Sequence, residues 1–246
     1  MSKISTALLL LCLLMLSGSA FADQFYFSSP GTVTWDGVYV NPYQANDNTH
    51  PQNNPLTIYC DDWNTEFSGN PTWNADVYAL TPGNVPNFKY GQIASDYSLS
   101  LSGGVLGDSV DSSVNVYDLY LEAAYLDQEM QTELASGDST ANKQLEQIEY
   151  SDAEWTLFVN SANVDGLVGA INSSGFAGDV YSDLVGARTA VAGGFNAAGW
   201  DVLVPVDNSF GMQEFLVSTP EPSAVILLVS IAGLLGFAKF RRKREA

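Results

Sequence analysis

The alternation of apolar and polar residues divides the chain into a β-type region, a helical region and a second β-type region. Before residue 81, short runs rich in Phe, Tyr, Val, Thr and Trp lie between turn residues such as Ser-Pro-Gly and Asp-Gly. These runs predict a β-hairpin or two short strands over 23–44, a polar loop over 45–55, a strand over 56–69 and another over 71–80. Residues 81–113 are rich in Gly, Ser and Pro, which indicates loops with one short element near 90–97.

Apolar residues recur at helical spacing between 113 and 195. They predict a helix over 113–134, a second over 139–160 capped by Ser139 or Thr140, and, after a Gly/Ser-rich loop, a third over 178–195. Residues 199–219 predict two more strands joined by an Asp-Asn-Ser-Phe-Gly turn. Strands, then helices, then strands are typical of an α+β fold. We therefore predict one α+β domain, mostly β in its N-terminal and C-terminal parts and helical in the middle.

The first 22 residues have the three parts of a secretory signal peptide. Lys3 supplies a positive start, residues 4–16 are almost wholly apolar, and Ala20 and Ala22 form a small-x-small cleavage site. This pattern predicts cleavage by signal peptidase and a mature chain that begins at Asp23. The alternative is an uncleaved N-terminal anchor, although the apolar stretch is short for a membrane span.

The other end of the chain carries a tripeptide, an apolar run and a basic tail in that order. The residues are Pro220, Glu221 and Pro222 for the tripeptide, 224–240 for the run, and Arg241, Arg242, Lys243 and Arg244 for the tail. The run is long enough for one transmembrane helix across a thin bilayer. Because positive residues stay on the cytoplasmic side, the preceding domain is expected outside the inner membrane. A permanent single-pass anchor and a buried core helix are the alternatives.

This C-terminal order resembles the PEP-CTERM sorting signal of Gram-negative bacteria. The resemblance implies that a membrane enzyme of the exosortase type recognises the tripeptide and removes the tail. It also implies export to the cell envelope, the cell surface or the extracellular matrix of a biofilm. The two prolines suit a processing site, because they keep the segment extended. We therefore predict a signal peptide (1–22), an extracytoplasmic domain (23–219) and a sorting signal (220–246).

The predicted domain is strongly acidic. Its basic residues are Lys89, Lys143 and Arg188, against 26 acidic residues between positions 23 and 219. Three cations cannot form a basic patch, which excludes nucleic acid as a partner. Divalent cations relieve repulsion between many carboxylates, so weak calcium association is compatible with this composition.

One cysteine remains after removal of the signal peptide, because Cys12 lies in the predicted leader and Cys60 in the domain. An intramolecular disulfide is therefore excluded. Cys60 is a candidate reactive thiol, but the two aspartates that follow it disfavour a thiolate. The only histidine, His50, lies in a polar loop and is a poor candidate for a catalytic base. The alternative, which we favour, is a strand cysteine packed in the core.

The sequence contains no pattern that predicts a catalytic, metal or cofactor site. It has no His/Cys cluster, no phosphate-binding glycine loop and no nucleophile elbow. Asp61, Asp62 and Glu66 lie near Trp63 and Trp73, and such a group can bind or hydrolyse a sugar. In so acidic a domain, however, carboxylate pairs at this spacing are unavoidable. We therefore predict that the protein is not an enzyme.

Two resemblances concern the domain itself. The blocks GVYVNPY, IYCDDWNTEF, PTWNADVYAL, LEAAYL, IEYSDAEWTLF and QEFLVSTPEPS follow an order that resembles a group of uncharacterised PEP-CTERM proteins. The Cys60 block and the helix with Trp155 also resemble the thioester domains of bacterial surface adhesins, in which a cysteine bonds to a glutamine four residues before a tryptophan. Here that position is Ser151, and Gln147 lies eight residues before Trp155. The sequence therefore does not predict a thioester.

Export, acidity and the sorting signal together predict a surface-associated or matrix-associated protein with a structural or adhesive role. The alternative is an exopolysaccharide-binding or exopolysaccharide-processing protein. The predicted partners are signal peptidase, an exosortase-type enzyme and the inner membrane, with exopolysaccharide as a further candidate.

Overall fold

The computed structural model describes residues 22–29, 33–35, 38–51, 55–61, 72–92, 99–102, 105–110, 115–159, 163–206 and 213–219. Ala20 and the rest of the predicted leader before Ala22 lie outside the described residues, as does the whole predicted sorting signal, including the helix over 224–240. Among the residues that are described, no helix is both long enough and apolar enough to cross a membrane.

Within these ranges the chain forms ten strands and four α-helices, which confirms the α+β prediction. The strands are β1 (Asp23–Ser29), β2 (Thr34–Trp35), β3 (Val38–Tyr39), β4 (Tyr43–Asp47), β5 (Leu56–Cys60), β6 (Thr72–Ala79), β7 (Leu99–Ser102), β8 (Val105–Val110), β9 (Trp200–Pro205) and β10 (Phe215–Ser218). The helices are α1 (Val116–Ala135), α2 (Thr140–Phe158), α3 (Val164–Ser174) and α4 (Ala177–Ala192). Two 3-10 turns, Val85–Asn87 and Tyr90–Gln92, follow β6.

Six strands close into an antiparallel barrel in the order β1-β4-β5-β10-β9-β6. Side chains alternate between the two faces of each strand. In β5, Ile58 and Cys60 belong to the core inside the barrel, whereas Tyr59 belongs to the core outside it. Strand β10 pairs with β5 on one side and β9 on the other. The barrel therefore brings the C-terminal part of the domain next to Cys60.

Aromatic rings fill the barrel. The ring of Phe27 lies 4.9 Å from that of Trp73, 5.4 Å from that of Phe215 and 5.9 Å from that of Tyr43, measured between centroids. Such offset and edge-on contacts add to the burial of large apolar surfaces. Trp73, which the sequence placed among candidate sugar-binding residues, is buried in this core and is not available to a sugar.

A second core lies between the outer face of the barrel and the helices, and includes Tyr59, Tyr120, Phe158 and Leu216. Side chains cap the two long helices, and the cap at Ser139 confirms the prediction for α2. Asn115 Oδ1 accepts a hydrogen bond from the Tyr117 backbone at the start of α1, and Ser139 Oγ accepts one from Asn142 at the start of α2. The apolar faces of α1 and α2 therefore pack against strands that carry the candidate site described below.

Three predictions of local structure are wrong. The loop predicted over 45–55 begins as strand β4, because Tyr43 and Ala45 alternate into the barrel core. Residues 99–102 and 105–110, predicted as loops, form the antiparallel strands β7 and β8. The Gly/Ser-rich segment before the third predicted helix is itself helix α3, because Leu167 and Ile171 form a buried stripe that outweighs the glycines. Helix α3 ends at Gly175, whose φ of 87° suits glycine.

Candidate functional site

Cys60 is the last residue of β5 and lies almost fully buried at the end of the barrel core. It pairs with Phe215 of β10. Gln213 lies two residues before Phe215, so its side chain shares the face that Cys60 occupies. The Cys60 thiol donates a hydrogen bond to Gln213 Oε1 at 3.0 Å. A buried thiol and a buried primary amide therefore meet, although 153 residues separate them in sequence.

The side chain of Asn41 holds the peptide groups of Cys60 on both sides. The Cys60 amide donates to Asn41 Oδ1 at 2.7 Å, and Asn41 Nδ2 donates to the Cys60 carbonyl at 3.2 Å. The same carbonyl accepts from Trp155 Nε1 at 3.0 Å. Asn41 thus supplies the donor and acceptor that a neighbouring strand would otherwise offer. The last residue of β5 is held in one position by these contacts.

Helix α2 provides the second layer of support. Gln147, Ser151, Glu154 and Trp155 are spaced so that they lie on one helical face. Gln147 Nε2 donates to the Asn41 carbonyl at 3.1 Å, and the Asn41 amide donates to Ser151 Oγ at 3.0 Å. Glu154 Oε2 accepts from Asn41 Nδ2 at 2.5 Å. Gln147 and Ser151, which precede Trp155 by eight and four residues, therefore hold Asn41 and do not contact the thiol through these bonds.

Glu154 belongs to a pair of buried carboxyl groups. Its side chain and that of Asp127 on α1 are fully buried and close enough to interact electrostatically. Burial raises the pKa of both groups well above their ordinary values, and the neighbouring Asp127 raises that of Glu154 further. The surroundings therefore favour the neutral, protonated form of both carboxyl groups.

Asp61 and Glu214 form a second pair of neighbouring carboxyl groups, because the antiparallel pairing of Cys60 with Phe215 places them opposite each other. Each directly follows one of the two facing residues, Cys60 or Gln213. Both are fully buried. Burial raises the pKa of Glu214 to about 7, while a hydrogen bond from the Lys89 backbone limits the rise. The residues that directly follow the thiol and the amide thus both carry buried carboxyl groups.

His50 lies in a different group of side chains. Its Nδ1 is 3.1 Å from Asp47 Oδ2 and 3.4 Å from Asp23 Oδ2, and Asp47 Oδ1 accepts from the backbone of Thr49 and His50. The donor atoms of Asp23, Asp47 and His50 lie within 4.8 Å of one another, as metal ligands do. The sequence does not predict this grouping, because Asp23 lies far from Asp47 and His50 along the chain. Its internal hydrogen bonds account for the observed arrangement.

Only some residues of this site were predicted from the sequence. Cys60 is in the site, and Asp61 is adjacent to it. Asp62, Trp63 and Glu66 lie outside the described residues, as do Pro220, Glu221, Pro222 and the basic tail. Sequence reasoning missed Asn41, Asp127, Glu154, Gln213 and Glu214. The signal that could have found Gln213 is a polar residue next to an apolar strand, in the block QEFLV, at a position that alternates with Phe215 and Val217.

The chemistry open to this arrangement is acyl transfer within the chain. A cysteine sulfur beside a primary amide can attack the carbonyl carbon and displace ammonia, which leaves a thioester between the two side chains. Holding the reacting groups together replaces a slow encounter between separate molecules with a reaction inside one site. The backbone clamp on Cys60 serves that purpose.

Comparison with known proteins gives structural neighbours only. No family model and no curated protein matches the sequence. The fold is similar to the N-terminal domain of the Streptococcus pyogenes pilus tip adhesin Cpa, with a TM-score of 0.42, 11% identity and coverage of 83% of this chain and 97% of that one. It is also similar to the N-terminal thioester domain of the fibronectin-binding protein SfbI from Streptococcus pyogenes, with a TM-score of 0.42, 8% identity and coverage of 84% and 100%.

Proposed function

We propose that this chain is an exported surface protein that attaches covalently to amine-bearing partners through an internal thioester between Cys60 and Gln213. The observation that carries the proposal is the 3.0 Å contact between Cys60 Sγ and Gln213 Oε1 in a buried site. Oε1 is bonded to the carbonyl carbon that the sulfur attacks. The missing glutamine before Trp155 therefore does not argue against a thioester, because the partner comes from beside β10 instead.

The reaction has two steps, and neither needs an oxidant or a reductant. In the first step the Cys60 sulfur bonds to the Gln213 carbonyl carbon, the C–N bond breaks, and the amide nitrogen leaves as ammonia with the thiol proton. In the second step an amine nitrogen bonds to the same carbon and the S–C bond breaks. A proton from the amine returns to the Cys60 sulfur. The product is a stable amide between Gln213 and the partner.

A primary amine is the nucleophile that this site favours. A hydroxyl group, such as that of a sugar, needs a general base before it attacks an acyl carbon readily. The only histidine in the chain, His50, makes its contacts with Asp23 and Asp47. The carboxyl group of Glu214 lies against Tyr120, on the face of the strands opposite the thiol and amide. The alternative of an exopolysaccharide ligand therefore has less support from the described residues than an amine-bearing one.

Export places this chemistry outside the cell. The predicted signal peptide and the PEP-CTERM-like sorting signal support delivery to the envelope, the cell surface or the extracellular matrix, with signal peptidase and an exosortase-type enzyme as processing partners. A covalent bond formed there resists shear and dilution, since it does not dissociate as a non-covalent contact does. An adhesive role is the function that best uses this property.

Intact mass spectrometry of the full chain, before and after methylamine, tests the proposal. We expect a mass about 17 Da below that of the processed sequence, equal to one ammonia, and we expect methylamine to add to the chain and abolish the deficit. Cys60→Ala and Gln213→Ala should each abolish both signals. Peptide mapping should place the methylamine on Gln213.

Gln128→Ala is the matched control, because Gln128 is an exposed glutamine on α1. It should keep the mass deficit and the methylamine adduct. A wild-type chain with its full mass, recovered without exposure to amines, would overturn the proposed function. So would a deficit that survives Gln213→Ala, which would assign the crosslink to another residue.

A further inference from the structure

The residues that follow Cys60 and Gln213 point to the opposite face of the two strands. Cys60 lies in the barrel core, whereas Asp61 interacts electrostatically with Tyr120 on α1 and Glu154 on α2. Glu214 also meets Tyr120. Strand alternation explains this, since successive side chains face opposite sides. The same two chain segments thus carry the thiol and amide on one face and a carboxyl pair on the other.

Three groups hold Glu214 in place. The Tyr120 hydroxyl donates to Glu214 Oε1 through a short hydrogen bond, and the Lys89 backbone amide donates to Oε2 at 2.7 Å. The carboxyl group of Asp61 is the third, because the antiparallel pairing of Cys60 with Phe215 places Asp61 opposite Glu214. Tyr120 is itself fully buried and packs against Phe88 and Phe158, with ring centroids 4.8 Å and 4.9 Å away. Glu214 is therefore tied to a rigid part of the outer core, and Asp61 is tied to Glu214.

We propose that Asp61 and Glu214 form a carboxyl clasp that positions Cys60 and Gln213 for crosslinking, and that the clasp closes only while the pair retains a proton. The proposal rests on the proposed thioester and names two positioning residues for it. The clasp bonds the residue after the thiol to the residue after the amide. Both flanks of the reacting pair are then fixed, because Asn41 holds Cys60 from the other side.

The proton is essential to the clasp. Two ionised carboxylates at hydrogen-bond distance repel each other, and burial strengthens the repulsion. The charged and titratable groups that face the pair are Lys89, Tyr120 and, beyond Asp61, the buried carboxyl pair Asp127–Glu154. Lys89 is the only cation among these, and acids outnumber it. The surroundings therefore favour retention of protons, in line with the raised pKa of Glu214 at about 7.

The preference of the pair for its protonated form sets the expected pH dependence. At and below neutral pH the pair holds at least one proton, and the clasp is closed. Glu214 loses its proton as the pH passes through about 7. Once the pair has lost its last proton, the two carboxylates repel, and the thiol and amide are less well aligned. Crosslinking should therefore become slower at alkaline pH for a reason that is separate from hydrolysis of the thioester.

Reversal by ammonia provides the test, because ammonia opens the thioester to the original thiol and amide. The full chain is treated with ammonium chloride, the ammonia is removed at a chosen pH between 6 and 10, and the return of the 17 Da deficit, about one ammonia, is followed over time. The variant Asp61→Asn has a side-chain amide that donates to Glu214 at every pH without a titratable proton. Hydrolysis of the thioester and ionisation of the thiol affect both proteins alike. The ratio of the wild-type crosslinking rate to the Asp61→Asn rate therefore measures the effect of the clasp.

We expect the rate of wild type relative to Asp61→Asn to fall by about tenfold for each pH unit above the point where the pair loses its last proton. Tyr120→Phe, which removes one donor to Glu214 and keeps the ring, should slow crosslinking about tenfold at pH 6. A rate ratio that does not change from pH 6 to 10 overturns the clasp and leaves the thioester in place. A Tyr120→Phe variant that crosslinks at the wild-type rate also overturns the clasp and leaves the thioester in place. A wild type that shows no deficit at any pH overturns both.

Discussion

Replacing Asn41 by Asp should lower the free energy of unfolding by about 3–5 kcal/mol at pH 8. The change keeps the size of the side chain and the acceptor Oδ1 for the Cys60 amide. It replaces Nδ2, the donor to the Cys60 carbonyl and to Glu154 Oε2, by an oxygen. An ionised carboxylate would then face two acceptors in a fully buried position. Urea denaturation should show a lower midpoint with an unchanged slope.

The loss should be smaller at pH 5. When the carboxyl group introduced by Asn41→Asp is protonated, its hydroxyl can donate to one of the two acceptors, which restores part of the original bonding. Asn48→Asp makes the same chemical change at an exposed position, where the side chain bonds only weakly, at 3.3 Å, to Gln24. It should change stability by less than about 0.5 kcal/mol. Equal losses for the two variants would show that Asn41 is not a structural clamp.

Asn41 also shows where sequence reasoning reaches its limit. Its neighbours Tyr43 and Ala45 carry a strand pattern that the asparagines and aspartate around them disguise. Its importance comes from contacts to Cys60 and to α2, and none of these is encoded by local spacing. Residues that touch across 19 or 113 positions leave no periodic signal. Only the closed barrel and the packed helix bring them together.

The helices and the barrel differ in how well a sequence predicts them. Helices α1 and α2 follow from apolar residues at helical spacing and from the caps Asn115 and Ser139, which are local features. Most strands of the barrel could be predicted one by one, with β4 as the exception, but their order could not, since β10 lies between β5 and β9. That order decides which glutamine meets Cys60. The resemblance to thioester domains points to a glutamine near Trp155 as the partner of Cys60. In the structure Trp155 bonds to the Cys60 carbonyl, and Gln213 meets the thiol.

The sequence also fails to reveal which acidic residues are buried. Asp61, Asp127, Glu154 and Glu214 look in the sequence like members of a uniformly solvated acidic surface. The structure places all four in the core as two neighbouring pairs. A high content of acidic residues thus conceals the few that are functional candidates, because charge alone does not distinguish a paired, protonated carboxyl group from a solvated one.

Stability of the protein should fall as the pH rises from about 4.5 to above 7. Burial raises the pKa of Glu122, Asp183 and Glu214 to about 7, in the case of Glu122 despite an Arg188 nitrogen at 3.6 Å. The folded state therefore binds these protons more tightly than the unfolded state does. Their stabilising contribution is complete below the ordinary pKa of a carboxyl group and is lost as the pH passes through 7. For the fully buried Glu214 the loss is about 3 kcal/mol.

Urea denaturation at pH 5 and pH 8 measures this effect, best in a Cys60→Ala background where no crosslink contributes. Glu214→Gln removes one titrating group and keeps the shape of the side chain. It should reduce the difference in unfolding free energy between the two pH values by about 3 kcal/mol. Asp138→Asn removes one carboxylate from an exposed turn and should leave that difference nearly unchanged, which controls for the general repulsion in a chain of net charge −19. Equal stability at pH 5 and pH 8 would mean that the buried carboxyl groups are ionised in the folded protein as they are in the unfolded chain. The proton that closes the clasp would then be absent.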